Sequence, residues 1–83
     1  MNNSDNRIAV LAIIVSDTTA VQGVNELLHE FGSYIVGRMG LPIRDRQINA
    51  ITIVLDAPVN IVNALTGKLG KMDGVSAKAL FQK

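Results

Sequence analysis

A run of eight consecutive apolar residues, Ile8 to Val15, most constrains what this 83-residue chain can fold into. The run stops at Ser16-Asp17-Thr18, which is typical of the end of a strand. Because successive side chains of a strand point to opposite faces, this strand is apolar on both faces. A chain this short can cover one face with its own helices, and covering the other requires a second subunit. The run therefore predicts a domain that self-associates.

The composition narrows the class of protein further. Apolar residues make up 48% of the chain and charged residues 18%, which excludes a disordered polyelectrolyte. The absence of cysteine excludes disulfides, thiolate nucleophiles and thiolate metal ligands. The net charge of +1 is too small for a surface that wraps nucleic acid, so we do not expect direct DNA binding without another domain.

The length fits a single domain. We predict a flexible N-terminal tail over residues 1–6 and one domain over residues 7–83. The apolar run is too short to span a bilayer, and no basic leader precedes it. We therefore expect a cytoplasmic protein with no membrane contact.

Hydrophobic periodicity and turn residues predict four strands and two helices. The strands are Arg7 to Val15, Ser33 to Leu41, Ile48 to Leu55 and Val75 to Phe81. The first helix runs from Thr18 to Phe31, and the second is opened by Asp56-Ala57-Pro58 and ended by Asp73-Gly74. Pro42 is expected to end the second strand, and Pro42 to Gln47 to form a charged hairpin tip.

This element order predicts an α+β domain of the ferredoxin-like βαββαβ type. Right-handed crossovers place both helices on one face of a four-stranded antiparallel sheet, with the first and third strands in the centre. The other face stays bare, and an apolar bare face usually marks an interface. The candidate interface residues are Ile8, Val10, Ala12 and Ile14 with Ala50, Thr52 and Val54. Alternation leaves open whether the opposite set of the first strand, Ala9, Leu11, Ile13 and Val15, is outermost instead.

Three segments resemble the iron-only hydrogenase system regulator family: Tyr34 to Arg44, Ala64 to Val75 and Val24 to His29. The most specific runs are Arg38-x-Gly40-x-Pro42 and Gly67-Lys68-Leu69-Gly70-x-x-x-Gly74-Val75. The resemblance implies an ACT-like, ferredoxin-type fold and a role in regulation, including transcriptional regulation. It also implies similarity to the ligand-binding domain of nickel-responsive repressors.

The chain departs from these relatives at their ligand sites. ACT domains that bind amino acids have a glycine near the start of the first helix, and here no glycine occurs before Gly23. The nickel-responsive domains use several histidines and a cysteine, whereas this chain has one histidine and no cysteine. We therefore expect no metal and no cofactor. No nucleophilic or acid–base set is visible, so we do not expect an enzyme.

Two sets of residues are candidates for ligand contact. The first set precedes the first helix and consists of Ser16, Asp17, Thr18 and Thr19. Together with Gly37 and Gly40 of the second strand, it predicts a site for a small effector at a subunit boundary. The alternative for the first four residues is a simple helix cap. Arg38, Arg44 and Arg46 form a candidate basic patch around the hairpin, for which the alternative is a solvated tip.

Two further motifs favour ordinary structural roles. The spacing of Glu26 and His29 can place both side chains on one face of a helix, as a metal site needs, but we favour a solvated histidine in the last turn of the helix. The run Thr66 to Lys71 lacks the spacing of a phosphate-binding loop. We therefore predict a non-catalytic regulatory module that forms a dimer or tetramer. The alternative is an interaction module that docks onto a larger enzyme without a small-molecule ligand.

Overall fold

The computed structural model describes residues 5–83. The strands are β1 (Asn6–Val15), β2 (Ile35–Ile43), β3 (Ile48–Pro58) and β4 (Val75–Phe81), and the helices are α1 (Val21–Glu30) and α2 (Val59–Gly70). Short 3₁₀ turns occupy Thr18–Ala20, Gly32–Tyr34 and Arg44–Arg46. Most of the predicted tail, residues 1–4, lies outside the described residues, and Asn6 already belongs to β1.

The four strands form one antiparallel sheet in the order β2-β3-β1-β4. The first and third strands are central, and the chain follows the order strand, helix, strand, strand, helix, strand. This is the predicted ferredoxin-like arrangement. Each helix connects two strands of the same sheet, so both helices lie on one face.

The helices cover one face of the sheet, which we call the inner face. Its β1 residues are Ala9, Leu11, Ile13 and Val15, and its β3 residues are Ile51, Ile53, Leu55 and Ala57. The helices contribute Val24, Leu28, Val62, Leu65 and Leu69 to the same core. The structure thus resolves the choice that alternation left open: the second β1 set is buried, and the first set, which includes Val10, faces away from the helices.

The predicted C-terminal ends of two strands were wrong, and both errors involve proline. Pro42 was expected to end the second strand, yet β2 continues through it to Ile43. Since β2 is an edge strand, a residue without an N–H costs no ladder hydrogen bond when its nitrogen faces outward. The third strand runs on to Pro58, which directly precedes α2 as its N-cap residue.

The loop that follows β1 contacts the turn that precedes β4 through a backbone hydrogen bond and close packing. The Ser16 N–H donates to the Gly74 carbonyl at 2.7 Å. Gly74 has a φ of +76°, and a Cβ built there would lie 2.5 Å from the Asp17 Cβ. Glycine is therefore required at this position both for its backbone conformation and for the close approach of Asp17.

Candidate functional site

The face of the sheet that the helices leave bare is largely apolar on β1, β2 and β3, and β4 adds Leu80 to it. The register opposes Val10 to Val54 on one side and to Leu80 on the other. We call this surface the outer sheet face. Its apolar members are Ile8, Val10, Ala12, Ile14, Met39, Leu41, Ile43, Ala50, Val54 and Leu80, with Thr52 among them.

The exposure of these side chains is large for residues of this kind. Val10 is 38% exposed, Met39 65% and Leu80 72%. The register places Asp56 and Lys78 on the same face, opposite Ile8 and Ala12. The outer sheet face thus combines a large apolar area with one acid and one base, so a partner can cover it while burying few charges.

Sequence reasoning missed a third of this surface. Met39, Leu41 and Ile43 come from β2, and Leu80 comes from β4. Alternation along β2 would have found them, because Met39, Leu41 and Ile43 are spaced two apart. From the sequence, β2 was interpreted instead through Gly37 and Gly40, as a place where a ligand could approach the backbone.

Of the four predicted effector residues before the first helix, Asp17 and Thr19 form the cap of the 3₁₀ turn that leads into α1. The Asp17 carboxylate accepts hydrogen bonds from the Thr19 hydroxyl at 2.7 Å and from the Thr19 N–H at 3.0 Å. These two bonds lower the pKa of the Asp17 carboxyl. Asp17 therefore serves as the cap of the 3₁₀ turn that leads into α1.

The structure brings only part of the predicted effector set together. Thr18 shares a small hollow of about 260 Å³ with Pro42, Arg44, Gln47 and Asn49, at the end of the sheet where the β2–β3 hairpin turns. Gly37 lies five residues before Pro42, which is about 17 Å along a strand. Gly37 is thus remote from the hollow, and Gly40 is two residues from its edge.

The three arginines do not form one patch. Arg38 is opposite Ile53, and its Nη2 donates to the Asn25 Oδ1 of α1 at 3.0 Å. Arg44 and Arg46 lie in the 3₁₀ turn at the hairpin tip. Six residues of extended strand separate Arg38 from Arg44, a distance of about 20 Å. Only Arg44 and Arg46 share a surface.

The remaining motifs have structural roles. His29 lies in the last turn of α1, beside an open depression that also involves Glu26. Among residues 5–83, no three His, Asp or Glu side chains come close enough to hold a metal ion. The Thr66 hydroxyl donates to the Val62 carbonyl, and the Lys68 ammonium lies 5.5 Å from the centre of the Phe31 ring. The glycine- and lysine-containing run thus belongs to α2 and its packing.

The fold defines a small ferredoxin-like domain with one sheet face that its helices leave exposed. The chain belongs to the family described as "TM1266-like: Iron-only hydrogenase system regulator, putative", which matches residues 7–79. This confirms the resemblance found in the sequence. The family assignment describes a regulator.

Solved structures support both the family and the fold. The uncharacterized protein TM1266 from Thermotoga maritima is 38% identical, with a TM-score of 0.90 over 94% of this chain and 99% of that one. The C-terminal domain of the MgtC protein from Mycobacterium tuberculosis is 13% identical, with a TM-score of 0.73 over 99% of this chain and 94% of that one. At that identity the likeness concerns the fold alone.

A formyltetrahydrofolate deformylase from Pseudomonas putida KT2440 shares the fold over a smaller part of its length. It is 13% identical, with a TM-score of 0.64, and the match covers 88% of this chain and 28% of that one. No curated protein matches the chain. Neither helix within residues 5–83 has the length and apolar character needed to cross a membrane.

Proposed function

We propose that this chain is a non-catalytic regulatory module whose working form is a homo-oligomer joined through the outer sheet face. One observation carries the proposal. The central strand β1 has an apolar face that the helices do not cover, and the neighbouring strands extend that face to Met39, Leu41 and Leu80. Each Å² of apolar surface left in water forfeits about 25 cal/mol, so covering this face stabilises the assembly.

The size of the outer sheet face suits a dimer contact. Four strands at about 4.8 Å spacing and strand lengths near 25 Å give a footprint on the order of 500 Å² before side-chain relief is counted. A biological interface buries at least about 1,000 Å² in total, or about 500 Å² on each side. The footprint of the outer sheet face therefore reaches the lower end of the range for a specific interface.

The charges on the outer sheet face favour a second copy of this chain as its partner. Asp56 and Lys78 cancel, so two copies of the face do not repel each other. An isologous contact uses the same patch on both subunits and needs a self-complementary surface of this kind. The proposed oligomer is thus a twofold dimer, which can assemble further into a tetramer.

The test compares two valines of nearly equal exposure on opposite sides of the molecule. Val10 on the outer sheet face is 38% exposed, and Val59 at the start of α2 is 36% exposed. We expect Val10→Glu to convert the oligomer to a monomer, because it buries a carboxylate at the contact. Val59→Glu keeps the oligomer, since a carboxylate at a helix start is tolerated. Size-exclusion chromatography with light scattering measures both masses.

A small effector is a second candidate element of the function, favoured by the hollow between Thr18 and the hairpin. Arg44 and the amides of Gln47 and Asn49 line this hollow, which suits a small anionic ligand. An effector regulates the module only if it binds two assembly states with different affinity. A thermal-shift screen of amino acids, nucleotides and metal ions tests this, with Arg44→Ala as the variant that abolishes the shift and Arg46→Ala as its control.

Docking onto a larger enzyme is the alternative to self-association. If the unsubstituted chain were monomeric and bound one larger protein in equal amount, without any effect of small molecules, this alternative would replace the proposal. The hydrogenase system named in the family description is the place to look for such an enzyme. The cytoplasmic location expected from the sequence stays a prediction.

A further inference from the structure

We propose that Met39 is an oxidation site, at which a peroxide converts the thioether to a sulfoxide and thereby keeps the subunits apart. The inference rests on the proposed association through the outer sheet face and adds a chemical control to it. Methionine sulfoxide is reduced back to methionine by sulfoxide reductases, so the control is reversible. Because the chain has no cysteine, its three methionines are its only sulfur-containing residues.

The sulfur of Met39 is open to solvent in the single chain. The side chain is 65% exposed. It lies on the outer sheet face of β2, an edge strand, so that a neighbouring strand flanks it on one side only. Along β2 its neighbour on the same face is Gly37, where a built Cβ would meet no atom within 4 Å. A peroxide therefore reaches the sulfur of a free subunit from several directions.

Met72 provides a contrast within the same chain. It follows α2, is half-buried and packs against the core. Its Cε atom fills the space beside Gly23, where a built Cβ would lie 2.8 Å from it. Because a peroxide must contact the sulfur to react with it, we expect Met39 to be oxidised before Met72.

The reaction transfers one oxygen atom to the side chain. The Met39 sulfur attacks one oxygen of hydrogen peroxide with a lone pair, so that the S–O bond forms as the O–O bond breaks. The departing hydroxide takes the proton of the transferred hydroxyl and leaves as water. The sulfur is oxidised by two electrons, and the peroxide is reduced.

The sulfoxide changes what Met39 contributes to the outer sheet face, because it replaces a flexible apolar side chain with a polar one. Its neighbours on this face are Leu41 on the same strand and Thr52 directly opposite on β3. Thr52 offers the new oxygen one hydroxyl, whereas Leu41 and the apolar side chains of an apposed copy offer none. Covering the oxidised face therefore removes water from a polar group without fully replacing its hydrogen bonds.

The size of the effect follows from the number of buried sulfoxides. A twofold dimer repeats each contact, so it buries Met39 of both copies. Each incompletely bonded polar group weakens association by about tenfold, and with the partial offset from Thr52 we expect the dissociation constant to rise about ten- to a hundredfold. The coupling is reciprocal, so association covers Met39 and slows its oxidation. Peroxide thus reacts with free subunits and prevents them from reassociating.

Sedimentation equilibrium before and after treatment with hydrogen peroxide tests the inference, with peptide mass spectrometry to locate the added oxygen. We expect the oxygen at Met39 first, a rise in the dissociation constant of about ten- to a hundredfold, and recovery after treatment with sulfoxide reductases. We also expect Met39 to react more slowly as the protein concentration rises. Met39→Leu conserves apolar volume and keeps the other two methionines. It should associate as the unsubstituted chain does and show no response to peroxide, while Met72→Leu, the matched control, keeps the response.

Met39→Gln provides a second route that needs no oxidant, because it places an uncharged polar side chain of similar length at the same position. We expect it to weaken association in the absence of peroxide, and circular dichroism confirms that each variant and the oxidised chain are folded. If the chain associates, carries oxygen at Met39 and keeps its dissociation constant, the inference is overturned and the proposed association stands. Equal dissociation of Met39→Leu by peroxide has the same meaning. A chain that is monomeric before any peroxide contradicts the proposed association itself, and this inference with it.

Discussion

The two faces of β1 have nearly the same chemistry and entirely different surroundings. Leu11 and Ile13 on the inner face are completely buried, whereas Val10 and Ile14 on the outer sheet face are 38% and 40% exposed. Both faces are built from aliphatic residues of similar size. The difference lies in the helices, because α1 and α2 both return to the same side of the sheet. The inner face holds the fold together, and the outer sheet face stays exposed to solvent in the single chain.

The largest difference between the two faces is expected when one side chain on each face is truncated to alanine. Leu11→Ala leaves a cavity among residues with no solvent access, and we expect it to lower the free energy of unfolding by about 2–5 kcal/mol. Val10→Ala is expected to cost less than about 1 kcal/mol at dilutions where the chain is monomeric. Urea denaturation followed by circular dichroism measures both.

Measuring the same two variants at several protein concentrations separates the two faces further. Binding between native subunits adds to apparent stability in proportion to the logarithm of concentration. The loss in Leu11→Ala should therefore be similar at all concentrations, while the loss in Val10→Ala should grow as concentration rises. If both variants lost the same free energy of unfolding at high dilution, the two faces of β1 would contribute equally to the fold of the single chain, which contradicts this contrast.

A smaller loss of stability is expected from a change in the turn before β4, which contacts the loop that follows β1. Gly74→Ala combines a positive φ with a Cβ placed 2.5 Å from that of Asp17, so we expect a loss of about 1–3 kcal/mol. Gly32→Ala is the matched control, because a Cβ there meets nothing within 4 Å. Thermal unfolding of the two variants gives the comparison, and equal stability would contradict the close approach of the two loops.

The smallest effect concerns Asp17, whose carboxyl has a pKa below its ordinary value because it accepts from the Thr19 hydroxyl and N–H. A lowered pKa adds stability above the unfolded value of 3.8, and this gain is lost as the pH falls through the folded value. The advantage of the unsubstituted chain over Asp17→Asn should be constant from about pH 6 down to about pH 4 and then shrink. An advantage that does not change with pH would mean that the cap does not depend on the ionised carboxylate.

The sequence was enough to predict the topology, because the order of elements and the doubly apolar run leave few arrangements. It was not enough to choose between the two sets of β1, since Leu11 and Val10 are equally suited to a core. The set that is buried depends on which side the crossovers place α1 and α2, and alternation carries no such information.

The grouping of residues into sites could not be predicted from the sequence, because it depends on distances along and between strands. Arg38 and Arg44 are near neighbours in the chain, yet an extended strand holds them about 20 Å apart. Gly37 is separated from Thr18 for the same reason. Thr18 and the hairpin come together because β1 and β3 are neighbours, and Val15 lies opposite Asn49. Local spacing predicted the types of residue, and strand pairing decided which of them meet.

The central claim is that the bare apolar face makes this chain associate with copies of itself. Sedimentation equilibrium of the unsubstituted chain over a wide range of concentrations tests it most directly. We expect an average mass that is a multiple of 8.9 kDa at high concentration and falls toward 8.9 kDa on dilution. A mass of 8.9 kDa at every concentration would contradict the claim.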